Sequence, residues 1–192
     1  LKPIILASAS PRRTQLLQEW GMPHEIQIGH CQELTQTDAP YFTARELTQL
    51  NALMKAEAVA KTISNRWILA ADTVVVLEGK ILGKPKNLKV AYRMLNQLSG
   101  RVHEVISSVV LLKSDGKKFV KYLNYEISQV KFHHLTSQQI HHYLKQVHVL
   151  DKAGAYAAQE KGDWLIKEIR GSLSNVIGLP KKTTLRLLKL IS

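Results

Sequence analysis

The stretch ILAADTVVVLEGKILGKP, Ile68–Pro85, reads as strand, turn and returning strand. Ile68–Leu77 is apolar except at Asp72 and Thr73, and its second half is a β-branched run of the kind that favours a buried strand. Glu78-Gly79 supplies the turn, after which a short strand returns toward Gly83, Lys84 and Pro85. The single acid in that run is the anomaly. An ionised carboxylate in a buried strand costs several kcal/mol, on the order of 5, unless it is paired or bound to a metal.

Upstream, Ile4–Ala7 reads as a short buried strand leading into a helix from Pro11 to about Trp20. Ser10 stands at the N-cap, Pro11 at the first helical position and Gly21 at the stop. Leu16, Leu17 and Trp20 give that helix an apolar stripe. Glu25–Ile28 is expected as a strand, Glu33–Pro40 as a polar loop, and Thr43 to about Ile63 as a helix with Leu47, Leu50, Met54, Ala58 and Val59 on one side. Downstream, Asn87 caps a helix that turns Val90, Ala91, Met94, Leu95 and Leu98 inward and stops at Gly100. Val105–Leu112 and Phe119–Phe132 form a hairpin around Ser114-Asp115-Gly116, the second strand reading as half-buried. Thr136 and Gln139 make a capping box that opens a helix to about Val147. A glycine-punctuated stretch, Gly154–Pro180, precedes a C-terminal helix from about Lys182. Strands alternate with helices until a hairpin interrupts, which is an α/β chain with a mixed sheet. There is no internal repeat and no Pro/Gly/Ser-rich linker, so residues 1–192 are expected as a single domain whose two lobes share one sheet.

The composition narrows the class. With 45% hydrophobic residues the chain can build a sizeable core. A single cysteine, Cys31, excludes an internal disulfide and fits a reducing compartment. No apolar run approaches the ~18–20 residues of a membrane span, and Ile4–Ala7 is too short for the apolar region of a signal peptide, so the cytoplasm is the expected location. The 27 Lys and Arg against 15 acids give a net charge of +12, but they are spread along the chain without a basic tail. That pattern fits a field attracting a polyanionic small molecule better than a nucleic-acid surface.

Ser8, Ser10, Arg12 and Arg13 lie where a strand gives way to a helix. Two cations in a first helical turn oppose the helix dipole, so an anion is needed to make them sensible. Free backbone N–H groups, two hydroxyls and two guanidinium forks together suit phosphate. The plainer account is a capping serine beside two solvated arginines. Asp72, at a strand end facing a cleft, would hold Mg²⁺ or orient an attacking water; otherwise it caps a helix or pairs with an arginine. Lys84 follows by one turn and suits charge that grows during P–O cleavage. Lys55 and Glu33 are solvated in the plain reading, and Glu33 gains interest only as a second carboxylate for a metal. His133, His134, His141, His142 and His148 have no metal-ligand spacing and read as exposed helix and strand residues. Gln159 offers a donor and an acceptor to a base edge. The small residues around it allow close approach of a ligand or simply make a tightly packed strand and turn.

Assembled in order, ILASASPRR, KAEAVA (Lys55–Ala60), AADTVV through GKP (Ala70–Pro85), LSGRVHEV (Leu98–Val105), KAGAYAAQ (Lys152–Gln159) and GSLSNVIGLP (Gly171–Pro180) resemble the Maf family of nucleoside triphosphate pyrophosphatases. The likeness covers nearly the whole chain. It implies a Maf-like (ITPase-like) fold, a mixed twisted sheet flanked by helices with two lobes around a cleft. It also implies cleavage of a nucleoside triphosphate to the monophosphate and pyrophosphate, assisted by Mg²⁺ or Mn²⁺, and a homodimer. By this resemblance Asp72 is the base and Glu33 and Asp72 hold the metal, Lys84 acts with them, and Ser8, Arg13 and Lys55 bind the triphosphate. Arg12, Thr73 and Gln159 match the specificity positions of the dTTP/UTP branch rather than those of the 7-methyl-GTP branch. The chain departs from the family's usual residues at Ala158, Glu160 and Leu173. The 7-methyl-GTP activity and a nucleotide-binding regulator of septum formation stay open as alternatives, although a mere binder would be expected to lose Asp72 or Lys84.

Overall fold

The computed structural model describes residues 3–116 and 118–191. The outermost residues of the expected domain, and Lys117, lie outside that description. A seven-stranded mixed sheet runs through the molecule. Its strands are β1 (Ile4–Leu6), β2 (His24–Ile26), β3 (Trp67–Leu77), β4 (Lys80–Leu82), β5 (Val102–Ser114), β6 (Phe119–Phe132) and β7 (Ile166–Arg170). The order is β2-β1-β3-β5-β6-β7, with β4 pairing β3 off this path. β1 is parallel to β2 and β3, and every other pairing is antiparallel.

Three long strands, β3, β5 and β6, carry both ends of the molecule. At one end the sheet is covered on both faces, which explains the unbroken apolar runs of β1 and β3. Side-chain alternation sends Ile5, Ala7, Ile68, Ala70, Val110 and Leu112 to one face, where α2 (Ala44–Ala60) packs with Ala52, Ala56 and Val59. Ile4, Leu6, Leu69, Ala71, Val109 and Leu111 go to the other face. They meet Leu16 and Leu17 of α1 (Pro11–Glu19) and Leu187 and Leu188 of α6 (Lys181–Leu188). At the far end, Val75, Leu77, Val105, Val130 and Phe132 pack on Ala91, Leu95 and Leu98 of α3 (Leu88–Leu98). Ile140 and Tyr143 of α4 (Ser137–Gln146) complete that core. Each large side chain fully buried in these clusters contributes about 1.5–3 kcal/mol. Asp72 and Thr73 lie on β3 where one core gives way to the other, opposite Ser108 and Ser107 of β5.

Several boundaries differ from the sequence reading, each for a local reason. α1 does stop as expected: Gly21, at φ 66°, closes a Schellman cap, with Gly21 N–H on the Gln18 carbonyl and Met22 N–H on that of Leu17. β2 pairs with β1 over His24–Ile26, earlier than expected. α2 turns Leu47, Thr48, Asn51, Ala52, Ala56 and Val59 inward, so its buried face is partly polar; Leu50, Met54 and Ala58 flank it. Val90 and Met94 likewise flank the buried stripe of α3. The first half of β6 is largely exposed, including Phe119, Val120, Leu123 and Ile127, because β7 pairs only with Gln129–Phe132. The stretch Gly154–Pro180 holds β7, a strand of the kind its plainer reading allows, and α5 (Leu173–Ile177), which was not anticipated. Its glycines serve packing: a Cβ on Gly154 would lie 2.9 Å from the Val75 side chain, and one on Gly171 would lie 2.6 Å from Ser128 Oγ. Among the described residues no helix is long and apolar enough to cross a membrane.

Candidate functional site

β1 runs out at Leu6, Ala7 keeps one ladder bond to Leu69, and the chain then turns through Ser8–Ser10 into α1. Ser8 Oγ accepts from the Ser10 amide at 3.2 Å and from Arg13 Nη1 at 3.1 Å, which fixes the turn. Ser10 occupies the N-cap position as expected, but its side chain makes no cap bond. The first turn of α1 contains no acid, so the positive helix end and two guanidiniums face the same space.

Arg13 is a strut. Buried, it donates from Nε to the Gly178 carbonyl at 2.8 Å and from Nη2 to Thr73 Oγ1 at 3.2 Å, in addition to Ser8. Burial pulls its pKa below the usual arginine value, against the attraction of Asp72 and Glu33. Three of its five donors are spent on protein, leaving two for a ligand. Thr73 Oγ1 is also 2.8 Å from Ser107 Oγ, and Ser107 donates to the Asn175 carbonyl at 3.0 Å. Asn175 in turn donates to Val105 O and Ser128 Oγ, so a buried polar chain ties α5 to the strands that carry the site.

Opposite the turn, two acids share one cation. Lys55 Nζ lies 2.6 Å from Asp72 Oδ1 and 2.8 Å from Glu33 Oε1, while Lys84 Nζ holds Glu33 Oε2 at 2.9 Å. Burial pushes the Glu33 carboxyl up, but the charge and hydrogen bond of Lys55, with those of Lys84, outweigh it and bring its pKa down to about 2. Asn51 completes the arrangement. Its amide exchanges hydrogen bonds with both backbone groups of Leu34, at 2.8 and 2.9 Å, and reaches Asp72 Oδ2 at 3.4 Å. One side chain thereby fixes the loop behind Glu33 and orients Asp72. The loop also leans on α2 at Gly29, where a Cβ would lie 2.6 Å from Ala58 Cβ.

Lys84 is placed by backbone pairing. Gly154 N–H donates to the Gly83 carbonyl at 3.1 Å, joining its segment to that of Lys84. Next to Gly154, Lys152 is buried, and its ammonium donates to the His148 carbonyl and to Asp151 Oδ1. Arg12 Nη1 meets the same carboxylate at Oδ2, 3.2 Å away. Burial raises the Asp151 carboxyl, yet Lys152 and Arg12 prevail and hold it below the usual range.

Ser8, Arg12, Arg13, Glu33, Lys55, Asp72, Thr73 and Lys84 therefore line one cleft of about 330 Å³, a volume in the range of small-molecule sites. Gln159 stands apart. It is exposed and does not line the cleft, whose wall there is formed by Tyr156, Ala157 and Ala158. Sequence reasoning missed Asn51, Asp151 and Lys152. Asn51 had a signal, since Leu47, Asn51, Lys55 and Val59 recur every four residues along α2. The five histidines between 133 and 148 are exposed, His142 stacking on Trp164 with ring centroids 5.1 Å apart. Among the described residues no group of three or more His, Cys, Asp or Glu side chains gathers as a metal site.

Comparison with known proteins places the chain in a family. The family model described as Maf-like protein matches residues 3–191. A dTTP/UTP pyrophosphatase from Akkermansia muciniphila is 42% identical over 188 residues, covering 98% of this chain and 96% of that protein. Proteins of the same name from Halalkalibacterium halodurans and Bacillus cereus are 43% identical over 191 residues and 41% over 189. They share 98% of this chain with 96% and 90% of their own lengths.

Proposed function

The chain belongs to the Maf family, and from that premise we propose that its cleft hydrolyses dTTP and UTP to the nucleoside monophosphate and pyrophosphate. One observation carries the reading: the cationic Ser8–Arg13 turn and the Asp72–Glu33–Lys55–Lys84 cluster line the same cleft. A triphosphate chain needs both halves, donors and positive charge along its length and a carboxylate at the point of attack.

Ser8, the first turn of α1 and the two free donors of Arg13 bind phosphate oxygens. Lys55 and Lys84 already sit within hydrogen-bond reach of acids in the cleft, and they neutralise charge that builds on the departing phosphate. Asp72 accepts a proton from water, whose oxygen bonds to phosphorus as the α–β anhydride bond breaks and the bridging oxygen leaves with the other product. Asn51 holds the second oxygen of Asp72 and so sets the direction in which its first oxygen points.

A divalent cation fits these residues. Glu33 Oε1 and Asp72 Oδ1 are hard oxygen donors that already converge on one positive centre, the Lys55 ammonium. Two carboxylates, with phosphate oxygens and water completing the shell, match the habit of Mg²⁺ and Mn²⁺. Bound there, the ion would supply neutralising charge to the phosphates. The lone thiol, Cys31, accords with work in the cytoplasm.

The test is a panel of canonical ribo- and deoxyribonucleoside triphosphates with Mg²⁺, products resolved by chromatography. Expected are monophosphate and pyrophosphate in equal amounts, with dTTP and UTP at least tenfold ahead of the others in kcat/KM. Diphosphate plus inorganic phosphate, or no turnover of any pyrimidine nucleotide, overturns the proposal.

A further inference from the structure

Something in the cleft must tell a pyrimidine imide from other bases, and two of the three expected residues are placed elsewhere in their contacts. Gln159 is exposed outside the cleft, and the Thr73 hydroxyl is engaged by Arg13, Ser107 and the Gly178 carbonyl. Away from the Ser8–Arg13 turn and the acid–lysine cluster, the described lining is mostly apolar, with Val75, Val105, Ala157, Ala158 and Val176. Tyr156 belongs to it too, but its hydroxyl is committed to buried His103 Nε2 at 2.9 Å. The charged side chains that remain among the described lining are Arg12, Asp151 and Lys152.

Their bonding assigns them different tasks. The buried ammonium of Lys152 donates to the His148 carbonyl and to Asp151 Oδ1 at 3.0 Å, and it pairs with Glu160 Oε1 at 3.4 Å. A buried ammonium held by two hydrogen bonds and a second carboxylate is a cross-link rather than a ligand group. Asp151 differs, since its side chain is 43% exposed and, among the described residues, Oδ2 has only Arg12 at 3.2 Å. A carboxylate oxygen with one donor keeps a lone pair for another. Arg12, with a single nitrogen engaged, keeps N–H groups for a carbonyl. The wall therefore offers an acceptor next to a donor.

We infer that Asp151 is a specificity-determining residue, its Oδ2 accepting the N3–H of thymine or uracil while Arg12 donates to the adjacent carbonyl, with Lys152 as the positioning residue. This rests on the dTTP/UTP reading above. Cytosine is rejected because its N3 is a lone pair and would face a carboxylate. Guanine has an N–H beside a carbonyl, but its amino group needs the second oxygen as well. Oδ1 has the Lys152 ammonium at 3.0 Å and the His148 imidazole 4.0 Å away, and the two crowd the approach of that amino group. A site built to hydrogen-bond one group discriminates strongly against analogues that leave its own groups unpaired.

The experiment compares the full-length protein with Asp151→Asn on UTP, CTP, GTP and N3-methyl-UTP. In the parent, N3-methylation is expected to lower kcat/KM roughly 100-fold, mainly through KM. In Asp151→Asn, UTP falls by roughly 10- to 100-fold, CTP does not fall, and the penalty for N3-methylation shrinks to a few-fold. An equal loss on all substrates, or a parent that accepts N3-methyl-UTP as well as UTP, overturns the inference. The parent arm alone decides if the variant fails to fold. Failure of the hydrolytic reading looks different: no pyrophosphate appears from any nucleotide. Recognition is then read from binding of the α,β-imido analogues of UTP and CTP, where equal affinity overturns it and a preference for UTP of at least tenfold supports it.

Discussion

Replacing Lys55 by methionine removes one charge from the centre of the site while keeping most of the apolar length of the side chain. In the native protein this ammonium is 14% exposed and contacts two carboxylates, Asp72 at 9% and Glu33 at 37% exposure. Breaking a buried ion pair from one side costs about 3–5 kcal/mol, because the remaining charge is left uncompensated. Glu33 is partly solvated and retains Lys84, and Arg13 still faces Asp72, so the cost falls to the bottom of that range or just under it, about 2–3 kcal/mol. For a chain of this size the loss lowers Tm by roughly 4–12 °C. Its pH dependence has a definite sign. Glu33 has a folded pKa of about 2 against a usual 4.5, so its contribution is complete above 4.5 and is lost as pH falls toward 2. Lys55→Met lacks most of that contribution, so the gap between variant and parent closes across the same window. Mg²⁺ should raise the Tm of the variant more than that of the parent, because the ion takes over a charge the variant has lost. Urea unfolding at pH 7.5, 4.5 and 3 and thermal melts with and without Mg²⁺ supply the numbers. A variant within 2 °C of the parent, with an unchanged pH profile, would refute the idea that this ammonium holds the two acids together.

Three further outcomes follow from the packing. His103 is buried and its pKa is depressed to about 4 by burial, against a usual 6.5, so the unfolded chain binds its proton first. Stability should therefore decline as pH drops from about 6.5 to 4, by roughly 3 kcal/mol in all, and His103→Gln should flatten that slope in urea titrations. Gly171→Ala places a methyl against Ser128 Oγ at a φ of +122° and should cost on the order of 2–3 kcal/mol, measured by denaturant midpoint; an unchanged midpoint would contradict the account of how α5 docks. Asn51→Leu should reduce kcat at least tenfold with a small change in KM, since it leaves the phosphate-binding groups in place; a pure KM effect would contradict its role in orienting Asp72.

Much of this architecture is legible in the chain because its signals are local. Thr136 and Gln139 form the capping box the sequence announces, and Asn87 caps α3 through its side chain. Strand β3 reads as buried because both of its faces are. A second capping box, Thr43 with Glu46, was equally available at the start of α2. The residues that went unread depend on contacts distant in sequence. α5 is short, and what fixes it is Asn175 bonding to Val105 and Ser128, 70 and 47 residues away. The buried face of α2 was misassigned because Thr48 and Asn51 are polar; Thr48 is satisfied by Ser108 at 2.8 Å, a partner no helical periodicity reveals. Asp151 went unread for the same reason, its partner Arg12 lying 139 residues away. Gln159 follows Ala158 on the wall, and its own side chain is turned out to solvent.

Pyrophosphate release from UTP by Asp72→Asn, set beside the parent protein, tests the central claim most directly. The substitution is nearly isosteric and leaves the Ser8–Arg13 turn intact, so the α,β-imido analogue of UTP should still bind within a few-fold of the parent. Turnover should fall by roughly 10²–10⁴-fold, the worth of a positioned general base. An Asp72→Asn protein that binds the analogue normally and releases pyrophosphate at the parent's rate would contradict it.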